Sequence, residues 1–182
     1  MQLKTLFSLG FASMAVAAPI VEGSMNKFDL PAVTDTFNAI QSGIDKMVVD
    51  VKAFNGDPQQ LVAIQTDSDA ILKTIADGTD KVAKSAAMGI MDAIGVLGPV
   101  GTLSSKVDEI INALAEKKEL LTKNNLQSMV VKDLNDQKTA ADALVKAILA
   151  NLPLPSLLGG IAGPIAKQIT DKLDAGVKTW ST

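Results

Sequence analysis

The sequence predicts an all-α protein, an antiparallel bundle of five helices, on three observations. Apolar residues recur at alternating spacings of three and four through five long stretches, and no stretch carries the period-two alternation of a strand. Short turn and capping segments separate the stretches, the clearest being Asn55-Gly56-Asp57-Pro58 and Asn124-Asn125, and links of that length join antiparallel neighbours. There is no cysteine, so the fold must stand on helix packing alone.

Residues 1–18 are read as a secretory signal peptide, because Lys4 precedes an apolar run from Leu6 to Val16 that ends in small residues. Residues 19–182 then form one helical-bundle domain. The first helix starts near Pro31, a residue suited to a first turn. Its seam is Val33, Phe37, Ile40, Ile44, Met47, Val51 and Phe54. Asp57 caps the second helix, with Pro58 in its first turn and Gln60 in the capping-box place. The second seam is Leu61, Ile64, Ser68, Ile71, Ile75, Gly78 and Val82.

Ser85 to Gly101 has a different texture, with one charge, two methionines and four glycines. Gly98-Pro99 is expected to kink the third helix or to separate it from a short leading helix. The third stripe is Leu103, Val107, Ile110, Leu114 and Leu121. The fourth, from Asn124 to Pro153, is Leu126, Val130, Leu134, Gln137, Ala141, Leu144 and Ile148, with Lys132, Asp133, Asp136, Lys138 and Asp142 largely on the opposite side. Leu152 to Pro164 is uncharged, but its prolines and glycines leave it too short and broken for a membrane span. The last helix carries Ile161, Ile165, Ile169, Leu173, Val177 and Trp180. Such seams also suit a coiled coil, but the Pro and Gly breaks between them argue for a closed monomeric bundle.

Composition excludes several functions. All 17 basic residues are lysine, against 20 carboxylates, and an arginine-free acidic domain is a poor nucleic-acid binder. Histidine and cysteine are both absent, which removes the commonest general base, the commonest metal ligand and the thiol nucleophile. No catalytic residue, metal site or cofactor is therefore expected, and the charged residues read as solvated helix faces.

Three stretches together resemble the fungal hydrophobic surface-binding protein A family, which includes the cell-wall galactomannoproteins. They are Phe54-Asn55-Gly56, the run Leu114 to Leu121 (LAEKKELL), and Val130 to Pro153 (VVKDLNDQKTAADALVKAILANLP). The resemblance covers nearly the whole of residues 19–182. It implies a secreted or wall-associated helical bundle, some of whose relatives hold fatty acids in an apolar tunnel. Others adsorb to hydrophobic surfaces and recruit polyester-degrading enzymes. Trp180-Ser181-Thr182 is not the Ser/Thr-rich tail of the wall-anchored members, so free secretion is expected.

Aliphatic helices poor in aromatic filler can close into a packed core or leave a tunnel, and periodicity alone does not choose between them. The resemblance favours the tunnel, which a fatty acid or other lipid would occupy. The residues expected to line it are Phe37, Ile40, Ile44 and Met47 in the first helix and Ser68, Ile71 and Ile75 in the second. Met88, Met91, Ile94, Leu97 and Leu114 come from the next stretch, followed by Met129, Val130, Leu134, Gln137, Leu144 and Ile148, then Ile165 and Ile169. Ser68 and Gln137 interrupt apolar stripes and are the polar groups available to orient a carboxylate. Met88 and Met91, three apart, are expected to meet the ligand at an entrance in Ser85–Gly101. The alternative function is surface activity: adsorption to a hydrophobic surface and recruitment of a secreted hydrolase.

Overall fold

The computed structural model describes residues 28–152 and 155–181, without the side chains of residues 155–162, 165 and 166. The expected signal peptide and the side chains of Ile161 and Ile165 lie outside the described residues. Six helices follow in order: α1 Leu30–Ala53, α2 Pro58–Lys84, α3 Ile90–Glu116, α4 Lys118–Lys123, α5 Gln127–Ala150 and α6 Pro155–Trp180. Five are long. The sixth, α4, is a single short turn-and-a-half near the end of the third stripe.

Local chemistry sets the boundaries. Asp29 accepts the Ala32 N–H at 3.0 Å ahead of Pro31, and Asp57 accepts the Gln59 N–H at 2.8 Å ahead of α2. Gln60 closes the turn differently from a capping box, accepting from the Asn55 N–H at 3.0 Å. Gly56 has φ +101°, a conformation that L side chains rarely adopt, and it lets α1 reverse into α2.

Two expectations about the third helix are corrected. No short helix precedes Gly98-Pro99; α3 runs through it from Ile90. Val96 and Val100 flank the proline on the buried face, and Gln41 donates to the Pro99 carbonyl at 3.2 Å, so packing against α1 overrides the local break. The stripe is interrupted instead at Lys117, whose ammonium donates to the Phe54 carbonyl at 3.0 Å. Leu121 therefore rides on α4 rather than on α3.

The long helices form a closed ring. α1 packs on α2 and α3, α2 on α5, α5 on α6, and α6 on α3, which closes the circuit. Successive long helices alternate in direction, but ring neighbours do not always do so. Thr36 faces Gly78 and Gly43 faces Ile71, so α1 and α2 are antiparallel. Gln41–Pro99 and Asp45–Lys106 make α1 and α3 parallel, and Gln65–Asp133 with Val82–Asn151 makes α2 and α5 parallel. Asp108–Lys172 and Ile111–Gly176 do the same for α3 and α6, whereas Lys138–Asp174 and Gln127–Trp180 set α5 against α6.

Parallel neighbours cannot share a tight turn, so two connections cross the ends of the ring. Residues 85–89 cross at the lower pole, where the Met88 N–H donates to the Asn151 carbonyl at 2.8 Å. α4 crosses at the upper pole beside Trp180, with the Lys118 ammonium 5.7 Å from the indole centroid. Phe54, Leu121 and Trp180 are buried at that pole.

Candidate functional site: an apolar interior enclosed by five helices

A ring of five helices around no central element must fill its axis with side chains or leave space there. This one does some of each. An upper cavity of about 70 Å³ and a lower one of about 40 Å³ lie along the axis. The upper is lined by aliphatic residues of all five long helices, by Leu121 of α4, and by three polar residues, Ser68, Asp133 and Gln137. Among the described residues the lower has only apolar side chains in its wall. Five side chains belong to both walls, one from each long helix: Ile40, Ile75, Leu103, Ala141 and Ile169.

Most of the expected lining residues meet here. Ile44, Met47, Ser68, Ile71, Leu114, Met129, Val130, Leu134 and Gln137 surround the upper space. Phe37, Leu97, Leu144 and Ile148 surround the lower, and Ile40, Ile75 and Ile169 lie between the two. Met91 and Ile94 are corrected: they are 77% and 52% exposed, on the outer side of the first turns of α3. Met88 is buried at the lower pole outside both walls. Three residues apart on paper, Met88 and Met91 are divided by the start of α3 at Ile90, so they do not share a helix face.

Ser68 and Gln137 meet across the α2–α5 seam. The Gln137 amide donates to the Ser68 carbonyl at 3.3 Å and to its hydroxyl at 3.4 Å. Ser68 is fully buried, and both contacts are long for hydrogen bonds, so a stronger acceptor would compete well for the same donor. One turn away, the Gln65 amide reaches Asp133 at 3.5 Å. The other four seams each carry a Lys–Asp ion pair: Lys46–Asp67 at 2.5 Å, Lys106–Asp45 at 2.8 Å, and Lys172–Asp108 and Lys138–Asp174 both at 2.6 Å. The α2–α5 seam has none among the described residues. Among the described residues it is held by neutral amide donors instead, including the Asn151 amide, which donates to the Val82 carbonyl at 2.8 Å.

Asp133 was assigned above to the solvated face, and its place in the wall is a correction. A helix in a ring touches two neighbours and the interior, so its buried face is wider than a single stripe. Burial pushes the Asp133 carboxyl above its ordinary value, against the pull of Gln65 and Lys132, and nearby Asp136 and Asp69 add to the rise. The folded state thus holds this proton more tightly than the unfolded chain. The group adds stability in acid and loses that contribution as pH rises through its raised value. Asp133→Asn keeps the acceptor for Gln65 without the charge. It is expected to melt a few degrees higher than the parent at neutral pH, with the gain vanishing below the ordinary carboxylate value of 3.8. Melting curves across pH check this; a lower melting point at neutral pH would show that the charge is needed.

The fold and interior define a class: an all-helical bundle built around an apolar internal space with one polar seam. The chain belongs to the hydrophobic surface binding protein A family, whose profile matches residues 30–150. It is 31% identical over 180 residues to cell wall mannoprotein 1 of Aspergillus flavus, covering 98% of this chain and 59% of that protein's length. Among solved structures it is similar to ligand binding domain 1 of Penicillium marneffei MP1 protein complexed with arachidonic acids. There the TM-score is 0.77 at 22% identity, covering 85% of this chain and 99% of the other. AFMP4P in complex with palmitic acid gives a TM-score of 0.79 at 18% identity, covering 84% and 99%.

Proposed function

We propose that this chain is a secreted, non-enzymatic binding protein that holds a fatty acid or similar acyl chain inside the helix ring. The observation that carries this is the interior itself: two aligned apolar cavities whose polar wall residues, among the described ones, lie in the upper cavity and along α2 and α5. An acyl chain supplies the matching chemistry, an apolar tail with one polar end. The head lies at Ser68 and Gln137, where the amide turns from its long contacts to a carboxylate oxygen. Related folds complexed with arachidonic acids and palmitic acid support the reading. The cavities are small for a long acyl chain, so loading widens the ring, and the α2–α5 seam is where it gives.

Native mass spectrometry of protein taken from culture medium, followed by organic extraction, tests this directly. The expected result is a monomer starting just after residue 18, with a co-purifying acyl ligand in the extract. Added fatty acid at a hundred times its dissociation constant should stabilise the fold by about 2.7 kcal/mol. Protein that yields no lipid and gains no thermal stability from any fatty acid ends the proposal.

One observation favours a second role, adsorption to hydrophobic surfaces. Ile90, Met91 and Ile94 stand 54%, 77% and 52% exposed on one end of the ring. Burying such side chains against wax or polymer is worth about 1.5–3 kcal/mol each. Met91→Asp is expected to weaken adsorption to polystyrene at least ten-fold while leaving fatty-acid binding and melting unchanged. Unchanged adsorption would remove this patch from the role. Recruitment of a secreted hydrolase would then depend on a different surface.

A further inference from the structure

The five side chains common to both cavity walls form one layer, with a single residue from each long helix. Contacts between helices place them at similar height: Thr36–Gly78 and Gly43–Ile71 bracket Ile40 and Ile75, and Ser104–Lys172 sits beside Leu103 and Ile169. Four of the five are branched aliphatics, and the fifth is Ala141. The opening through the layer therefore lies on the α5 side. Ala141 is also one turn below Gln137 on the same helix face, so a chain anchored at Gln137 runs down over it.

Helix geometry sets the lengths. Gln137 is four residues and Ser68 seven residues from the layer, which is about 6–10 Å at 1.5 Å per residue. One bilayer leaflet, the thickness of one acyl chain, is about 15 Å of hydrocarbon. A long tail whose head sits at Ser68 and Gln137 must cross the layer and finish in the lower cavity, while a short one ends above it.

We propose that Ala141, in the layer with Ile40, Ile75, Leu103 and Ile169, sets the acyl-chain length this protein accepts. This rests on the fatty-acid reading above. Chains that reach past Ala141 gain burial in the lower cavity, whose described wall residues are all apolar. Each methylene buried there strengthens binding by about four-fold. Enlarging residue 141 closes the passage and takes space from the floor of the upper cavity, while the polar groups of Ser68 and Gln137 stay in place.

The test is displacement of a fluorescent fatty acid by a saturated series from octanoic to stearic acid, on the parent, Ala141→Leu and Ile75→Ala, with melting curves for each. The parent should bind tighter as the chain lengthens. Ala141→Leu should lose at least ten-fold more affinity for stearic acid than for octanoic acid, relative to the parent, the equivalent of excluding two or more methylenes. Ile75→Ala, which widens the layer, should shift preference toward longer chains, and it decides the matter alone if Ala141→Leu does not fold. A parent that binds no member of the series defeats the fatty-acid reading. A parent that binds, with variants that keep its length profile, overturns the role of the layer and leaves that reading standing.

Discussion

Trp180→Ala is expected to cost about 3–5 kcal/mol and to lower the melting temperature by roughly 10 °C. Trp180 is the only tryptophan, and it is 1% exposed at the upper pole, where it ends α6. Two polar contacts hold the chain there: the Gln127 amide donates to the Trp180 carbonyl at 2.6 Å, and the Lys118 ammonium donates to the Thr179 carbonyl at 2.6 Å. The same ammonium lies over the indole, but at an exposed site that interaction is worth only about 0.5–1 kcal/mol. Buried ring area therefore dominates, and Lys118→Ala should cost far less than loss of the ring. Circular dichroism melts of both variants test the ranking. Trp180→Ala melting within a degree or two of the parent would mean that the upper pole is not sealed by this ring.

Gly78→Ala is expected to destabilise the bundle by about 1–3 kcal/mol through overpacking. At an open helical position the same change would stabilise by about 0.5–1 kcal/mol, because alanine is the better helix former. Here a Cβ would lie 2.2 Å from Thr36 Cγ2. Thr36 has little freedom to yield: it is β-branched, buried, and its hydroxyl donates to the Ala32 carbonyl at 2.9 Å. The contact has a reciprocal, since a Cβ on Gly43 of α1 would meet Ile71 Cγ1 of α2 at 2.8 Å. Two glycines, one on each helix, let α1 and α2 approach closely. Thr36→Ser removes the offending methyl group and keeps the hydroxyl, so in that background Gly78→Ala should become neutral or stabilising. If Gly78→Ala alone raises the melting point, the close approach is not needed.

The sequence is informative wherever one helix carries its own signal. The seams of α1 and α2 are buried almost residue for residue, and Pro31, Asp57 and Gly56 mark boundaries by local chemistry that needs no tertiary knowledge. Gly98-Pro99 marks a kink or a short leading helix in the sequence, and the short helix is absent because burial of Val96, Val100 and Leu103 carries α3 through the proline despite its local cost. Ser68 and Gln137 stand out as interruptions of apolar stripes, but their meeting depends on α2 lying beside α5. No periodicity encodes that neighbour, because a helical period gives the width of a buried face and not what covers it. Asp133, Met91 and Ile94 are misplaced for the same reason. The layer through Ala141 is invisible at that level, since it exists only once five helices are set in register.

The odd number of long helices has a consequence for chains that carry more than one such bundle. With five alternating runs, residue 28 lies at the lower pole and residue 181 at the upper, about 39 Å apart for a 26-residue helix at 1.5 Å per residue. Copies joined end to end would thus extend as a string, each leaving where the next begins, without a linker folding back along the side.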